Sequence, residues 1–196
     1  MPSLCFIIPT VPARRARLEV FLEAAYRTMR GDTTLLIACD ALPLSVKVNR
    51  WAVPAAMTYG AVGFLADDTV PETEGWDVLL ADALPGIAYP YNRRRDDIPE
   101  HHLTTSAIIR ALGWLLYPGC QHYYTDNVLA DLGHGARCLR YVPGVLVRHD
   151  HWDSAPVEHD ETYKLAEQVG PKDHEAYQWW RRNQMQADIA KVKWAL

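Results

Sequence analysis

The run Leu4–Ile8 (LCFII) is apolar at every position and is stopped by Pro9. A strand with one face in water alternates apolar and polar residues, so an unbroken run reads as a strand covered on both faces. A helical stretch follows, with Leu18, Leu22, Ala25 and Met29 at i, i+4, i+7 and i+11, and Gly31-Asp32 ends it. Thr34–Cys39 is a second strand-like run, closed by Asp40. Strand, helix and strand in this order form a βαβ unit, whose strands run parallel. This unit constrains the chain more than any other feature. It demands a sheet with helices on its faces, and ligands of such sheets sit at the carboxyl ends of the strands. Pro9, Thr10 and Asp40 fall on that edge.

The rest of the chain continues the pattern. Val46–Tyr59 is helical in period and interrupted by Pro54. Ala61–Ala66 (AVGFLA) is a third buried strand, and it ends in Asp67-Asp68, again at a carboxyl edge. Thr73 is placed to cap a helix from Gly75 whose apolar stripe is Trp76, Leu79, Leu80 and Ala83. Ile87–Tyr91 reads as a strand and Asn92–Pro99 (NRRRDDIP) as a mobile loop. Thr105–Leu112 and Asp126–Leu132 are short helices ended by Gly113 and Gly133. Cys138–Val147 predicts a hairpin turning at Pro143-Gly144, with His149-Asp150-His151 after it. From Asp153 the tail is acidic, then helical. Met185, Ile189, Val192 and Leu196 share one stripe, and Trp179-Trp180 is expected to pack on the body. A chain of 196 residues is one α/β domain. Its expected parts are a catalytic body over residues 1–152 and a lid segment with a C-terminal helix over 153–196.

Charge narrows the function. Twenty Lys+Arg against 24 Asp+Glu leave a net −4, which argues against holding nucleic acid by the overall field. Residues 147–175 carry eight acids against three Lys/Arg, so the remainder is close to neutral. An anionic ligand must therefore be held by local arginines or a bound cation. Cys5, Cys39, Cys120 and Cys138 are too far apart for a zinc knuckle or a Cys-x-x-Cys pair, so a reduced, cytoplasmic protein is expected. The chain opens without a basic-then-apolar leader, and no apolar run approaches the ~20 residues of a membrane span.

Three places carry chemistry. Asp67-Asp68 sets two carboxylates at the end of a buried strand, where they need a cation; hard ions such as Mg²⁺ or Mn²⁺ suit oxygen ligands, and a solvated turn is the plainer reading. In Thr125-Asp126-Asn127, Asp126 is either a helix-start residue or a general base. His149 and His151 point to one side if strand geometry continues. Arg14, Arg15 and Arg17 stand at the wrong helix end for cations, as a solvated face or as a contact for an anion beside the first strand.

Taken in order, these features resemble a known family. The carriers are Phe6-Ile7-Ile8-Pro9-Thr10, Asn49-Arg50, Gly63-Phe64-Leu65-Ala66-Asp67-Asp68, Gly75-Trp76-Asp77, Tyr123-Tyr124-Thr125-Asp126-Asn127, Asp131-Leu132-Gly133, Val147-Arg148-His149-Asp150-His151 and Asp160-Glu161-Thr162-Tyr163. Together they resemble GT-A glycosyltransferases with a family-2-like core, and more narrowly the small ones encoded by bacteriophages. The resemblance implies a Rossmann-like, mixed but mostly parallel sheet flanked by helices. It implies inverting transfer of one sugar from a nucleoside-diphosphate sugar, with UDP favoured, aided by Mn²⁺ or Mg²⁺. Pro9, Thr10, Val11 and Arg14 would line the nucleotide pocket, Asp40 would bond the base, and Asn49 or Arg50 would approach the ribose or diphosphate. Asp67-Asp68 stands at the Asp-x-Asp motif, with Asp68 on the metal and Asp67 supporting it or holding the ribose. Asp126 matches the base, His149 or His151 the third metal ligand, and Trp76, Thr105 and Tyr124 the acceptor or sugar side. Arg93, Arg94 and Arg95 would close over the diphosphate or stay a solvated run.

The sequence departs from the family at three points. Ala66 replaces the first acid of Asp-x-Asp, Thr125 stands where a glutamate commonly precedes the base, and the Gln-x-x-Arg-Trp signature of processive polymerases is missing. Single-sugar transfer follows from the last. The acceptor stays open between a phage structural protein, a modified DNA base and a glycan. A non-catalytic nucleotide-sugar binder and a metal-dependent nucleotidyltransferase are the rival readings.

Overall fold

A computed structural model describes residues 3–196; residues 1 and 2, where the expected catalytic body begins, lie outside the described residues. The expected βαβ unit is present as β1 (Leu4–Thr10), α1 (Arg15–Thr28) and β2 (Thr33–Cys39), with β1 and β2 parallel in register Leu4↔Thr33 to Thr10↔Cys39. The chain continues through α2 (Leu44–Ala55), β3 (Ala61–Phe64), β4 (Thr69–Pro71), α3 (Trp76–Asp82) and β5 (Ile87–Tyr91). It closes with β6 (His102–Thr105), α4 (Ser106–Leu112), α5 (Thr125–Ala136), β7 (Leu139–His149), α6 (Glu161–Asn183) and α7 (Met185–Ala195). These strands form one mixed sheet in the order β2-β1-β3-β6-β5-β7-β4. Strands β2, β1 and β3 are mutually parallel, β5 runs parallel to β7, and β6 and β4 pair antiparallel with their neighbours. Among the described residues no helix is long and apolar enough to cross a membrane.

The unbroken apolar run of β1 feeds both faces. Cys5 and Ile7 join the core under α2, α4 and α5, whereas Leu4, Phe6 and Ile8 join the core under α1 and α3. Alternation of side chains across a strand makes both faces apolar at once. Tyr177, Trp180, Ile189 and Val192 of the last two helices sit in the first of these cores, so the tail shares the body's interior. Trp180 is fully buried and donates its indole N–H to Asp188 at 3.0 Å, while Trp179 lies exposed. Met185 is half-buried, and Leu196 at the end of the expected stripe is exposed.

Four local expectations change. Strands β4 and β6 carry too few residues to show a period, and neither is legible as a strand in the sequence. Pro143-Gly144 does not turn a hairpin: β7 runs through it, and the pairing with β5 jumps from Pro90↔Val142 to Tyr91↔Leu146. The Pro-Gly pair is absorbed in a bulge, where a missing N–H costs no ladder bond. Thr73 caps no helix; its hydroxyl accepts the Leu146 N–H at 2.8 Å and ties α3 to β7. Gly133 lies inside α5, because a Cβ there would meet Leu139 at 2.8 Å and only glycine lets the strand pass.

Candidate active site

The carboxyl ends of β1 and β3 open into a cleft of about 930 Å³. Thr10, the last residue of β1, donates its hydroxyl to Asp67 Oδ2 at 2.6 Å. A single 3-10 turn, Pro12–Arg14, then carries Arg14 inward, where its side chain is buried. Its Nη1 donates to Asp67 Oδ1 at 3.1 Å and lies 3.6 Å from Asp68 Oδ2. Its Nε and Nη2 grip both oxygens of Asp160 at 2.8 and 2.9 Å. The basic helix start therefore divides: Arg15 makes an exposed pair with Glu19, Arg17 reaches Tyr163 and the Glu158 carbonyl, and Arg14 holds the acidic pair.

Pairing of β4 with β7 sets Thr69 opposite His149, which brings Asp68 against the His149 ring. Asp68 Oδ2 accepts the Tyr163 hydroxyl at 2.6 Å. Asp68 Oδ1 is buried and accepts no hydrogen bond, with His149 Nε2 at 3.3 Å. Burial pushes the Asp68 carboxyl up, but His149 above all, then Tyr163 and Arg14, hold it far below the ordinary range. Asp67 goes the other way: burial and the charge of Asp68 raise it against Arg14 and Thr10. Adjacent carboxylates thus sit in different fields: Asp68 is held ionised by its partners, and Asp67 is raised by burial while it accepts from Thr10 and Arg14.

Behind His149 stands Glu100, which the sequence did not single out. Its Oε2 lies 3.2 Å from His149 Nδ1 and accepts from Asn92 Nδ2 at 2.6 Å, and Arg94 Nη1 donates to the same carboxylate. Burial lowers His149, yet Asp68 and Glu100 together raise it to about 9. Burial raises Glu100, but His149, His101 and Arg94 bring it down to about 2. His101 is buried with its Nδ1 unpartnered, and burial holds it at about 3.

Two arrangements offer themselves to a cation. Glu100, His101 and His149 each present one atom, all within 4.8 Å of one another. On that side the Arg94 guanidinium already spans Glu100 and approaches His149 Nδ1 at 3.4 Å, so a positive charge is in place. On the other side Asp68 Oδ1 and His149 Nε2 face each other as an ion pair at 3.3 Å, and no hydrogen bond of good geometry reaches Oδ1. A buried carboxylate oxygen held only by a long ion pair keeps room for a further ligand, and a carboxylate with an imidazole suits Mn²⁺ or Mg²⁺. These residues fit a divalent cation. His151 lines the cleft beside His149, with ring centroids 5.3 Å apart, but its Nδ1 is taken by Asp153 at 2.8 Å.

Asp126 reaches the same cleft from the first turn of α5. The loop that delivers it is pinned from α6, where the buried Asp173 accepts the N–H groups of Gln121, His122 and Tyr123 at 2.7–2.9 Å. Burial raises Asp126 to about 6, and the Glu100 charge adds to the shift. The acidic neighbour missing from the sequence at Thr125 is thus supplied through space by Glu100. Replacing Asp173 with Ala strands three N–H groups and should cost about 3 kcal/mol of stability. Urea unfolding of the variant will check this.

Other expected residues divide by position. Pro9, Thr10, Val11, Arg14 and Tyr124 line the cleft, as do Arg94 and Arg95. Asp40 stands beside it, accepting the Leu42 N–H at 3.0 Å and 3.7 Å from Lys47 Nζ. Lys47, absent from the sequence expectations, is buried and donates to the Thr10 carbonyl at 2.8 Å, and burial lowers its pKa. Four residues are placed elsewhere. Asn49 clamps the backbone of Leu115 and Leu116 through both ends of its amide. Arg50 is exposed on α2 outside the cleft lining. Trp76 is fully buried edge-on against Phe6 at 4.9 Å, because its helix packs flat on the sheet. The Thr105 hydroxyl is used by the Gly86 N–H at 2.9 Å. The Arg93–Arg95 loop is tied down: Arg93 pairs with Glu72, Arg94 with Glu100 and Asp153, and Arg95 with Asp97.

No family model and no curated protein matches the sequence. Solved structures do match in fold. The mannosyltransferase PcManGT from Pyrobaculum calidifontis, in complex with GDP-Man and Mn²⁺, superposes with a TM-score of 0.61 at 12% identity, over 99% of this chain and 74% of that one. A197 from STIV superposes with a TM-score of 0.51 at 13% identity, over 75% of this chain and 85% of that one. The architecture is therefore of the GT-A kind, as the sequence resemblance implied.

Proposed function

We propose that the protein is a divalent-metal-dependent glycosyltransferase that moves one sugar from a nucleoside-diphosphate sugar to an acceptor hydroxyl. One observation carries the reading. Oδ1 of buried Asp68 accepts no hydrogen bond of good geometry and faces His149 Nε2 at 3.3 Å in the cleft that also holds Asp126, whose carboxyl lies near pH 6. Asp68 and His149 would hold the cation, which when bound supplies Lewis-acid neutralisation of the departing diphosphate. Pro9, Thr10 and Val11 line the end of the cleft for the nucleotide, with Asp40 and the buried Lys47 behind them. Arg14 holds Asp67 and Asp68 in place. Asp126 takes the proton from the acceptor hydroxyl as that oxygen attacks the anomeric carbon from the face opposite the leaving group, which inverts the centre. A base near pH 6 is largely ionised at neutral pH and still basic enough to accept the proton. The segment 153–160 serves as the lid that keeps water from the donor.

UDP sugars are the first donors to test by the family resemblance, and GDP-mannose is the second because the mannosyltransferase of like fold binds GDP-Man. The acceptors to test are a phage structural protein, a modified DNA base and a glycan. A thermal-shift screen of nucleotide sugars with Mn²⁺ should raise the melting temperature for one base and one sugar, since a ligand of the native state must stabilise it. Release of a nucleoside diphosphate in the following assay supports transfer. Release of pyrophosphate would make the protein a nucleotidyltransferase, and no shift with any donor would remove the reading.

A further inference from the structure

Oδ1 of Asp68 points at His149 while a second group holds Oδ2. That restraint comes from the far end of the chain. The Tyr163 hydroxyl, on the first turn of α6, lies 2.6 Å from Oδ2. A hydroxyl has one proton, and here its direction is settled: Arg17 Nη1 donates to the Tyr163 oxygen at 2.9 Å, so the proton goes to Asp68. The ring is fixed as well. Tyr163 is buried, and the Arg14 guanidinium lies 4.4 Å above its centroid. Asp160 holds the turn itself. Its carboxylate caps α6 by accepting from the Thr162 and Tyr163 N–H groups and at the same time grips Arg14.

We propose that Tyr163 is a positioning residue for the metal centre. Its hydroxyl holds Oδ2 of Asp68 and so presents Oδ1, beside His149 Nε2, to the cation. Without the hydroxyl, Oδ2 keeps only the Arg14 guanidinium at 3.6 Å, so the carboxylate is held less firmly and the ion must supply more of its order. A partner that orients a metal-binding carboxylate typically controls 10–100-fold in metal affinity, and about that loss is expected here. The proposal rests on the functional reading above, through Asp68 as a cation ligand.

The test is Mn²⁺ binding, followed by the spectroscopic signal of the free ion, with UDP or GDP present. It uses the wild type, Asp68→Ala, Tyr163→Phe and Tyr177→Phe. Tyr163→Phe keeps the ring under Arg14 and removes only the oxygen. Tyr177→Phe deletes a comparable buried hydroxyl, bonded to Asp131 at 2.8 Å, and controls for stability. Tyr163→Phe should bind Mn²⁺ 10–100-fold more weakly while melting, in chelator, no lower than Tyr177→Phe. Unchanged or tighter binding by Tyr163→Phe, with Asp68→Ala still deficient, overturns the positioning role alone. A wild type that binds no Mn²⁺ with either nucleotide overturns it together with the metal reading.

Discussion

Asp126→Asn is expected to transfer no measurable sugar and yet to melt higher than the wild type at neutral pH. The sign follows from linkage. An aspartate titrates near 3.9 in an unfolded chain, whereas burial and Glu100 raise Asp126 to about 6 in the fold. The unfolded chain therefore binds fewer protons between those values, and stability falls as pH rises through that window. Above it the full penalty applies, at most about 3 kcal/mol for roughly two pH units. Asparagine carries no charge and escapes it, so the variant should gain several degrees in melting temperature at pH 7.5, with the gain fading toward pH 4. Loss of the base should cost 10²–10⁴-fold in turnover. In the wild type, turnover should fall about tenfold per unit below pH 6 as the base is protonated. Melting curves and rates measured on one preparation across this pH range decide it. A variant no more stable than wild type at pH 7.5, or one with near-normal turnover, would dismiss Asp126 from the role.

The second large effect is at Asp68. Asp68→Ala removes one of the proposed cation ligands and leaves His149, Tyr163 and Arg14 facing a gap, and breaking a buried ion pair in this way costs about 3–5 kcal/mol. Asp68→Asn keeps the volume and removes only the charge, so it separates folding from binding. Both variants should lose Mn²⁺-dependent donor binding by calorimetry; retained binding would withdraw the metal assignment. The metal-free wild type should also show a defined pH window. Asp68 and Glu100 sit below their ordinary values, so their contribution is present above about pH 4–5 and lost as pH falls. His149 is raised to about 9, so its contribution is present below pH 6.5 and lost as pH climbs through 9. Asp68→Asn should flatten that alkaline loss. A cation must displace the His149 proton, so Mn²⁺ affinity should rise with pH across the same interval.

Much of this was legible in the chain because it depends on local order. An all-apolar strand announces that both of its faces are covered, and the following helix makes its neighbour parallel. Three strand ends then place Thr10, Asp40 and Asp67-Asp68 on one edge. The Pro143-Gly144 bulge was misread because a Pro-Gly pair has the same local chemistry in a tight turn as in a strand whose partner needs no N–H there. Trp76 was misread because a large aromatic beside a motif says nothing about which way its helix faces. Glu100 and Lys47 carried no local signal. Their roles exist only through His149 and Asp126 for the first, and Thr10 and Asp40 for the second.

By itself the sequence determined the βαβ start, the alternation that fills both cores and the edge at which acidic residues collect, since periodicity and strand termini are properties of neighbouring residues. Only the tertiary structure decided which charges meet. Arg14 grips Asp160 from 146 positions away, Tyr163 donates to Asp68 from 95 positions away, and Glu100 raises Asp126 from another element. Electrostatic energy depends on distance and burial, and neither is written in the order of residues along the chain.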